Sequence, residues 1–240
     1  MATYQVRLIR KVEIARGTKL FEFTKPQGFV FRAGQAVDIV LPRFNLKSEE
    51  RLNLGSEKIS QTFSLASAPH EKKLLIATRE RPSAFKKKLF TLKTGDKVKI
   101  EGPFGSFTLH TDRTKPAVFI AGGIGITPFI SMLREEFTRS NLVGSRHILL
   151  FYSNRTEKDA AFLDELCEYA ARHKNFTFVP VFTDTSDRLD KKKLKKILGK
   201  IANHIFYIAG TLGFVIAMRE EVVSLGISED NIKTDEFSGY

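Results

Sequence analysis

The sequence predicts two domains: an N-terminal antiparallel β-barrel over residues 1–111, then an α/β domain with a doubly wound parallel sheet over 116–240. Three observations predict this. Residues 1 to 110 carry many short apolar runs broken by turn residues, the pattern of a barrel. After Pro116 short apolar runs alternate with stretches of helical periodicity, the rhythm of a parallel sheet covered by helices. Between them Thr111–Lys115 (TDRTK) is polar and reads as a linker. A length of 240 residues suits two domains of ordinary size.

In the first half Tyr4–Ile9 alternates imperfectly as a strand, and Leu20–Phe23 is a second. Phe31–Gln35 reads as a turn into a strand at Ala36–Leu41, ended by Pro42. Arg43–Ile59 is polar and irregular, and reads as a loop. Further strands are expected at Thr62–Ala66, Lys73–Arg79 and Lys97–Glu101, with one short helix at Ser83–Leu92. In the second half strands are expected at 117–121, 146–152, 177–182 and 204–209. Helices are expected at 127–138, 157–173, 190–199 and 213–225. Asn231–Phe237 can add an edge strand.

Ala117–Arg134 (AVFIAGGIGITPFISMLR) organises the second half. Its opening run has the composition of a buried parallel strand. Glycines follow at 122, 123 and 125, then Thr127 as a helix N-cap and Pro128 at the first helical position. A helix N-terminus behind glycines offers N–H groups and a positive dipole end to a phosphate. Taken alone, the stretch reads equally as an ordinary strand-to-helix turn.

Composition narrows the classes. No run is long enough to cross a membrane, and the first residues alternate like a strand rather than a signal peptide. The single cysteine, Cys167, excludes internal disulfides and four-cysteine metal sites, and no metal is expected. It lies in an apolar-periodic stretch and reads as a buried core thiol, in keeping with a reducing, cytoplasmic setting. The net charge of +12 suits an acidic partner, a nucleic acid or a membrane surface. The densest basic run, Lys191–Lys200 (KKKLKKILGK), has Leu194, Ile197 and Leu198 at helical spacing, so its lysines read as a solvated helix face. No nucleic-acid-binding pattern accompanies the charge, and no nucleic-acid partner is expected.

Three other stretches gain meaning beside the glycine turn. Gln61-Thr62-Phe63-Ser64 sets an aromatic among hydroxyls on a barrel strand, where it can stack on a flat heterocycle. Arg81-Pro82-Ser83-Ala84-Phe85-Lys86 is a helix start with Ser83 as N-cap, suited to a pyrophosphate. Glu101–Phe107 (EGPFGSF) is a tight turn. Each also has a plain structural reading, as a half-buried strand, a capped helix and a β-turn.

In this order the stretches resemble the ferredoxin–NADP reductase family of flavoproteins, over nearly the whole chain. QTFS resembles the family's flavin motif, SAFK the start of the helix at the FAD pyrophosphate, and GPFGSF the turn closing the flavin barrel. GGIGITP resembles the nicotinamide-nucleotide motif, and Phe151–Arg155 the segment at the nucleotide ribose. Ala209–Met218 resembles the Cys-Gly segment, and Glu236–Tyr240 the closing acid-plus-aromatic element. Two positions depart from the family. Gln61 stands where an arginine usually meets the FAD phosphate, and Ala209 where plant-type members carry a cysteine. Gln61 lacks the charge and the fork of an arginine.

The resemblance implies an FAD-dependent oxidoreductase that takes hydride from NADPH or NADH. Electrons would then pass to a separate acceptor, an acidic ferredoxin or flavodoxin. Ser64 and Glu236 would serve the reaction, Glu236 reading equally as a surface acid near the chain's end. Gln61, Thr62, Phe63 and Ser64 would hold the flavin; Ser83, Ala84, Phe85 and Lys86 the pyrophosphate. Gly123, Gly125, Thr127, Pro128, Ser153, Arg155 and Gly210 would hold the nicotinamide nucleotide. Phe237, or Tyr240, would cover the flavin. The alternative is a degenerate, non-catalytic or regulatory flavin- and nucleotide-binding module of the same fold.

Overall fold

The computed structural model of the chain describes residues 1–42, 58–139, 146–186, 188–199 and 203–237. Its first half is one antiparallel sheet of β1 (Thr3–Ala15), β2 (Thr18–Thr24), β3 (Ala36–Pro42), β4 (Lys58–Ser64), β5 (Lys73–Arg79) and β6 (Lys97–Phe104). The order is β4-β3-β6-β1-β2-β5. Just past β4, the Ala66 N–H donates to the Leu75 carbonyl at 2.8 Å, drawing the two outer strands together. The sheet thereby curls into the expected barrel.

β1 runs further than its sequence pattern suggests because its pairing with β2 shifts register between Leu8 and Arg10, and again between Glu13 and Ala15. Each irregularity turns the inward face over, which is why the alternation looked imperfect. Val6, Leu8, Phe21, Ile39, Leu41, Ile76 and Ile100 fill the interior. Helix α1 (Ala84–Thr91) joins this core through Phe85 and Leu89. Ser83 caps α1 as expected, its hydroxyl accepting from the Lys86 N–H at 3.1 Å.

The second half is a parallel sheet of β7 (Ala117–Gly122), β8 (Ile148–Asn154), β9 (Phe176–Phe182), β10 (Ile205–Thr211) and β11 (Ile232–Phe237), in the order β11-β10-β7-β8-β9. Both faces are covered, so β7 reads as a continuous apolar run. Phe119 and Ala121 face α2 (Thr127–Arg139) and α3 (Leu163–Arg172), within a core that holds Phe129, Met132 and Leu166. Val118 and Ile120 face α4 (Lys191–Leu198) and α5 (Leu212–Ser224) through Leu194, Val215 and Val222.

The two halves share one apolar core. Leu20, Ala66, Leu75, Ala77 and Phe107 of the barrel belong to the cluster that holds Phe119, Phe129 and Tyr207. Phe107 meets Phe129 and Tyr207 edge-on, with centroids 5.6 and 5.7 Å apart. Polar links flank this seam. Ser131 donates to the Ser67 carbonyl at 2.6 Å, and Arg16 reaches both carboxylate oxygens of Asp159 at 2.8 Å.

The structure corrects three expectations here. The helix expected over 157–173 is split: Glu157–Asp159 is a 3-10 turn, and Phe162 takes a left-handed φ of 61° before α3 begins. The Asp159 carboxylate closes a capping box on Thr156, accepting from its N–H and hydroxyl, and the chain leaves helical geometry at the next residue, Ala160, which is extended. Cys167 is exposed, not buried. On α3 the buried position is Leu166, and the next residue turns about 100° away from it. The loop read at Arg43–Ile59 lies outside the described residues over 43–57, while 58 and 59 already belong to β4. The lysines of α4 form an exposed or half-buried face over buried Leu194, as read from sequence; Lys200 lies outside the described residues.

Candidate functional site

Two neighbouring cavities occupy the cleft between the halves. The first, about 560 Å³, is walled by β4 on one side and β11 on the other. Gln61, Thr62, Phe63 and Ser64 all line it, as does the turn Phe104–Phe107. Gly34 lets that turn lie close, since a Cβ on it would stand 2.1 Å from the Phe107 carbonyl oxygen. Gln35 holds the turn by donating to the Gly105 carbonyl at 3.1 Å. Phe63 packs against Phe85, with centroids 5.8 Å apart.

Across this cavity the Ser64 hydroxyl donates to Asp235 Oδ2 at 3.1 Å. Burial pushes the Asp235 carboxyl above the usual carboxylate range; neighbouring Glu236 adds to that, and the Ser64 bond opposes it. Glu236 also lines the cavity but is exposed. Asp235 lines the cavity beside Glu236, and sequence reasoning did not name it. Successive residues of a strand face opposite ways, so Asp235, not Glu236, shares the face of Phe237. The alternation was legible; the choice between two adjacent acids was not.

The second cavity, about 250 Å³, lies at the carboxyl ends of β7, β8 and β10. The strand order reverses between β7 and β10, the position where open α/β sheets bind ligands. Gly123, Gly125, Ser153, Arg155 and Gly210, all named from sequence, line it together, and Gly122 joins them. The glycines serve different ends. Gly123 has φ +54°, and a Cβ there would meet nothing within 4 Å, so its backbone is open to a ligand. A Cβ on Gly125 would stand 2.3 Å from the Ala209 carbonyl oxygen, so this glycine permits the turn to pack on β10. The lining also holds Arg79, Arg81 and Phe214, which sequence reasoning did not single out. Arg79 is braced by donating to the Asp159 carbonyl at 2.9 Å. Among the described residues three arginines and no carboxylate line this cavity, which suits a polyanion.

Phe237 lines both cavities and forms their common wall. It pairs with Thr211 at the end of β11. Tyr240 lies outside the described residues.

Thr127 and its neighbours correct the expected turn. Gly123–Ile126 is a 3-10 turn that runs straight into α2, so Thr127 is itself helical and not an N-cap. Its hydroxyl donates back to the Ile124 carbonyl at 3.2 Å. It lines the first cavity rather than the second, and Pro128 lines neither. Ser83, Ala84, Phe85 and Lys86 line neither cavity; Phe85 reaches the first only through Phe63. The Lys86 side chain is buried, and burial, with Arg81 nearby, lowers its ammonium to about 8.

Among the described residues no group of His, Cys, Asp and Glu could hold a metal ion, and no helix is long and apolar enough to cross a membrane.

Residues 119–220 match the model of an oxidoreductase NAD-binding domain. The reductase component of propane 2-monooxygenase from Rhodococcus jostii is 27% identical over 230 residues, covering 89% of this chain and 57% of that protein. The chain spans about half the length of the curated relatives it matches. The Amycolatopsis cytochrome P450 reductase GcoB superposes with a TM-score of 0.79 at 25% identity, covering 98% of this chain and 70% of that one. A ferredoxin NADP+ reductase from Neisseria gonorrhoeae, solved with bound FAD and NADP, superposes with a TM-score of 0.79 at 17% identity over 98% of both chains. That last likeness is one of fold.

Proposed function

We propose that the chain is a ferredoxin–NADP reductase-like flavoprotein, an FAD-dependent NAD(P)H oxidoreductase serving a separate electron acceptor. Residues 1–111 would form its flavin domain and 116–240 its nucleotide domain. The observation that carries this reading is the common wall at Phe237 between two cavities of different character. One is aromatic and walled by a serine–carboxylate pair; the other is cationic and built on a glycine turn.

The first cavity fits a flavin. Phe63, Phe104 and Phe107 offer flat apolar walls, and Gly105, at φ +97° with nothing within 4 Å of a Cβ, leaves the turn open. The second fits a dinucleotide diphosphate at the open backbone of Gly123, with Arg79, Arg81 and Arg155 as counter-charges. Bound flavin supplies hydride acceptance and onward electron transfer. The chain's own part is positional. Ser64 and Asp235 tie the barrel strand to the nucleotide sheet and fix a hydroxyl in the cavity wall. Arginines on both sides of the cleft hold the nucleotide against the common wall.

For the acceptor, the net charge of +12 supports an acidic protein such as a ferredoxin or flavodoxin, drawn in by electrostatic steering. The test is anaerobic titration of the FAD-loaded protein with NADPH and NADH, followed by a panel of acidic ferredoxins and flavodoxins. Bleaching of the flavin band and its recovery on adding an acceptor support the reading. Failure to retain flavin, or a bound flavin that neither nucleotide bleaches, would establish the non-catalytic alternative instead.

A further inference from the structure

Phe214, in the first turn of α5, sits in the crevice where the strand order reverses. A Cβ on Gly122 of β7 would stand 2.7, 2.7 and 3.0 Å from Cδ1, Cγ and Cδ2 of this ring. A Cβ on Gly210 of β10 would stand 2.8 Å from its Cδ1. Three ring atoms at near-equal distance mean that the ring presents its face to Gly122. The ring therefore lies on the bare backbone of the two strands that flank the switch point. Neither glycine has a positive φ that would require glycine on backbone grounds. Their missing side chains are explained by the ring.

The backbone that carries the ring is also held. Thr211 caps α5 by accepting from the Phe214 N–H at 3.4 Å. Phe214 is half-buried, and the surface it leaves uncovered lines the second cavity beside Phe237. The floor of the crevice is thus a flat aromatic at the end shared with the first cavity. Ser153 stands on β8 and Arg155 just past its end, on the other side of β7 from β10.

We propose that Phe214 is the platform on which the nicotinamide ring of the dinucleotide stacks, on the side away from the flavin. This rests on the reading that the second cavity binds NAD(P)H. The transferred hydride has to cross the wall that the two cavities share, so the reacting ring belongs at the Phe237 end. The adenosine part belongs at the Ser153–Arg155 end. A nicotinamide held between Phe214 and the space vacated by Phe237 has one face on a fixed aromatic and the other toward the flavin. Offset stacking of two flat rings is favourable beyond the area it buries.

The test uses calorimetric titration of the FAD-loaded protein, pairing each dinucleotide with its adenosine fragment: NADP+ with 2′,5′-ADP, and NAD+ with ADP. Phe214→Ala and Phe214→Leu should weaken the dinucleotides about three- to tenfold, leave the fragments unchanged, and leave Phe214→Tyr near the parent. Equal loss for dinucleotide and fragment would make Phe214 a packing residue and overturn the proposal. So would a Leu variant that binds like the parent, or an Ala variant that binds dinucleotide more tightly. Should Phe214→Ala fail to fold, Phe214→Leu, which still covers the two glycines, decides. A parent protein that binds neither dinucleotide nor fragment refutes the nucleotide reading itself, and the platform with it. A parent that binds both, with affinities indifferent to Phe214→Leu, refutes the platform alone.

Discussion

Ser64 and Asp235 stand 171 positions apart in the chain and 3.1 Å apart in space. Their bond joins the end of a barrel strand to the edge strand of the parallel sheet, across the cavity assigned to the flavin. Removing the acceptor charge should loosen the Ser64 hydroxyl. Asp235→Asn is expected to slow flavin reduction roughly tenfold, the scale of one charge-assisted hydrogen bond. Glu236→Gln, at an exposed residue, should change it less. Stopped-flow reduction of both variants decides which acid serves the site.

The same carboxylate sets a trade between function and stability. Burial raises the folded Asp235 carboxyl above its unfolded value. A raised acid favours the folded state below the unfolded pKa, and that contribution is lost as pH rises through the folded pKa. Asp235→Asn should accordingly raise Tm at pH 7 and change it little near pH 3. Melting curves at the two pH values test this, and a lower Tm at pH 7 would refute it.

Much of this was legible in the sequence, and the exceptions share a cause. Parallel strands buried on both faces announce themselves as apolar runs, so β7 and β10 were found within a few residues. The glycine turn was singled out by local pattern, and Ser153, Arg155 and Gly210 by the family resemblance; all of them line one cavity. Arg79, Arg81 and Phe214 were missed because their roles depend on which elements fold against which. Arg79 ends a barrel strand, and only the packing of the two halves brings it to the glycine turn. Cys167 was misread because it sits next to the buried Leu166 in an apolar stretch, and the split because a periodic pattern does not reveal that the chain turns extended at Ala160.

Gln61 lines the first cavity and stands where the family it resembles usually carries an arginine. Gln61→Arg should tighten FAD binding by on the order of 1–3 kcal/mol, through a charged contact to phosphate. Flavin titration of both apoproteins measures it. Unchanged or weaker affinity in the variant would mean that position 61 does not face the phosphates.

Arg155 is exposed just past the end of β8, in a cavity with no carboxylate among the described residues that line it. An acid at this place would favour a ribose 2′-hydroxyl, and a base a 2′-phosphate. Arg155→Ala should therefore lower the NADPH to NADH ratio of specificity constants. Arg79→Ala, at a residue fixed nearer the glycine turn, should weaken both nucleotides alike. A ratio unmoved by Arg155→Ala would remove the preference for NADPH.

His110 sits at the seam between the halves. Its backbone N–H donates to the Tyr207 hydroxyl at 2.8 Å, its Nδ1 lies 2.8 Å from the same oxygen, and its Nε2 lies 3.0 Å from the Lys115 carbonyl. Burial, with Arg146 and Lys233 close by, lowers the ring to about 4. The unfolded chain binds this proton near pH 6.5, whereas the folded chain refuses it until about 4. Stability should therefore fall as pH drops through that window. His110→Gln should show a shallower fall of Tm there than the parent. Parallel slopes in the two melting series would count against it.

Phe237 closes the contact between the two cavities, and nicotinamide cannot meet a flavin while a side chain fills the wall between them. Its backbone is held by pairing with Thr211, but its ring is only half-buried, so the ring can turn aside while the strand stays in place. In the resting protein that ring would shield the flavin face from water and oxygen. It would also compete with nicotinamide, at a stacking strength of roughly 0.5–1.5 kcal/mol. Phe237→Ala, and deletion of residues 237–240, should both shift the flavin absorption band and tighten NADP+ severalfold, by the amount the competing ring had withheld. The two variants separate the ring from the tail. A shift with the deletion but not with Phe237→Ala would hand the role to Tyr240. A parent-like spectrum and affinity in both would mean that neither aromatic covers the flavin, and loss of the folded state in both would make β11 a packing strand.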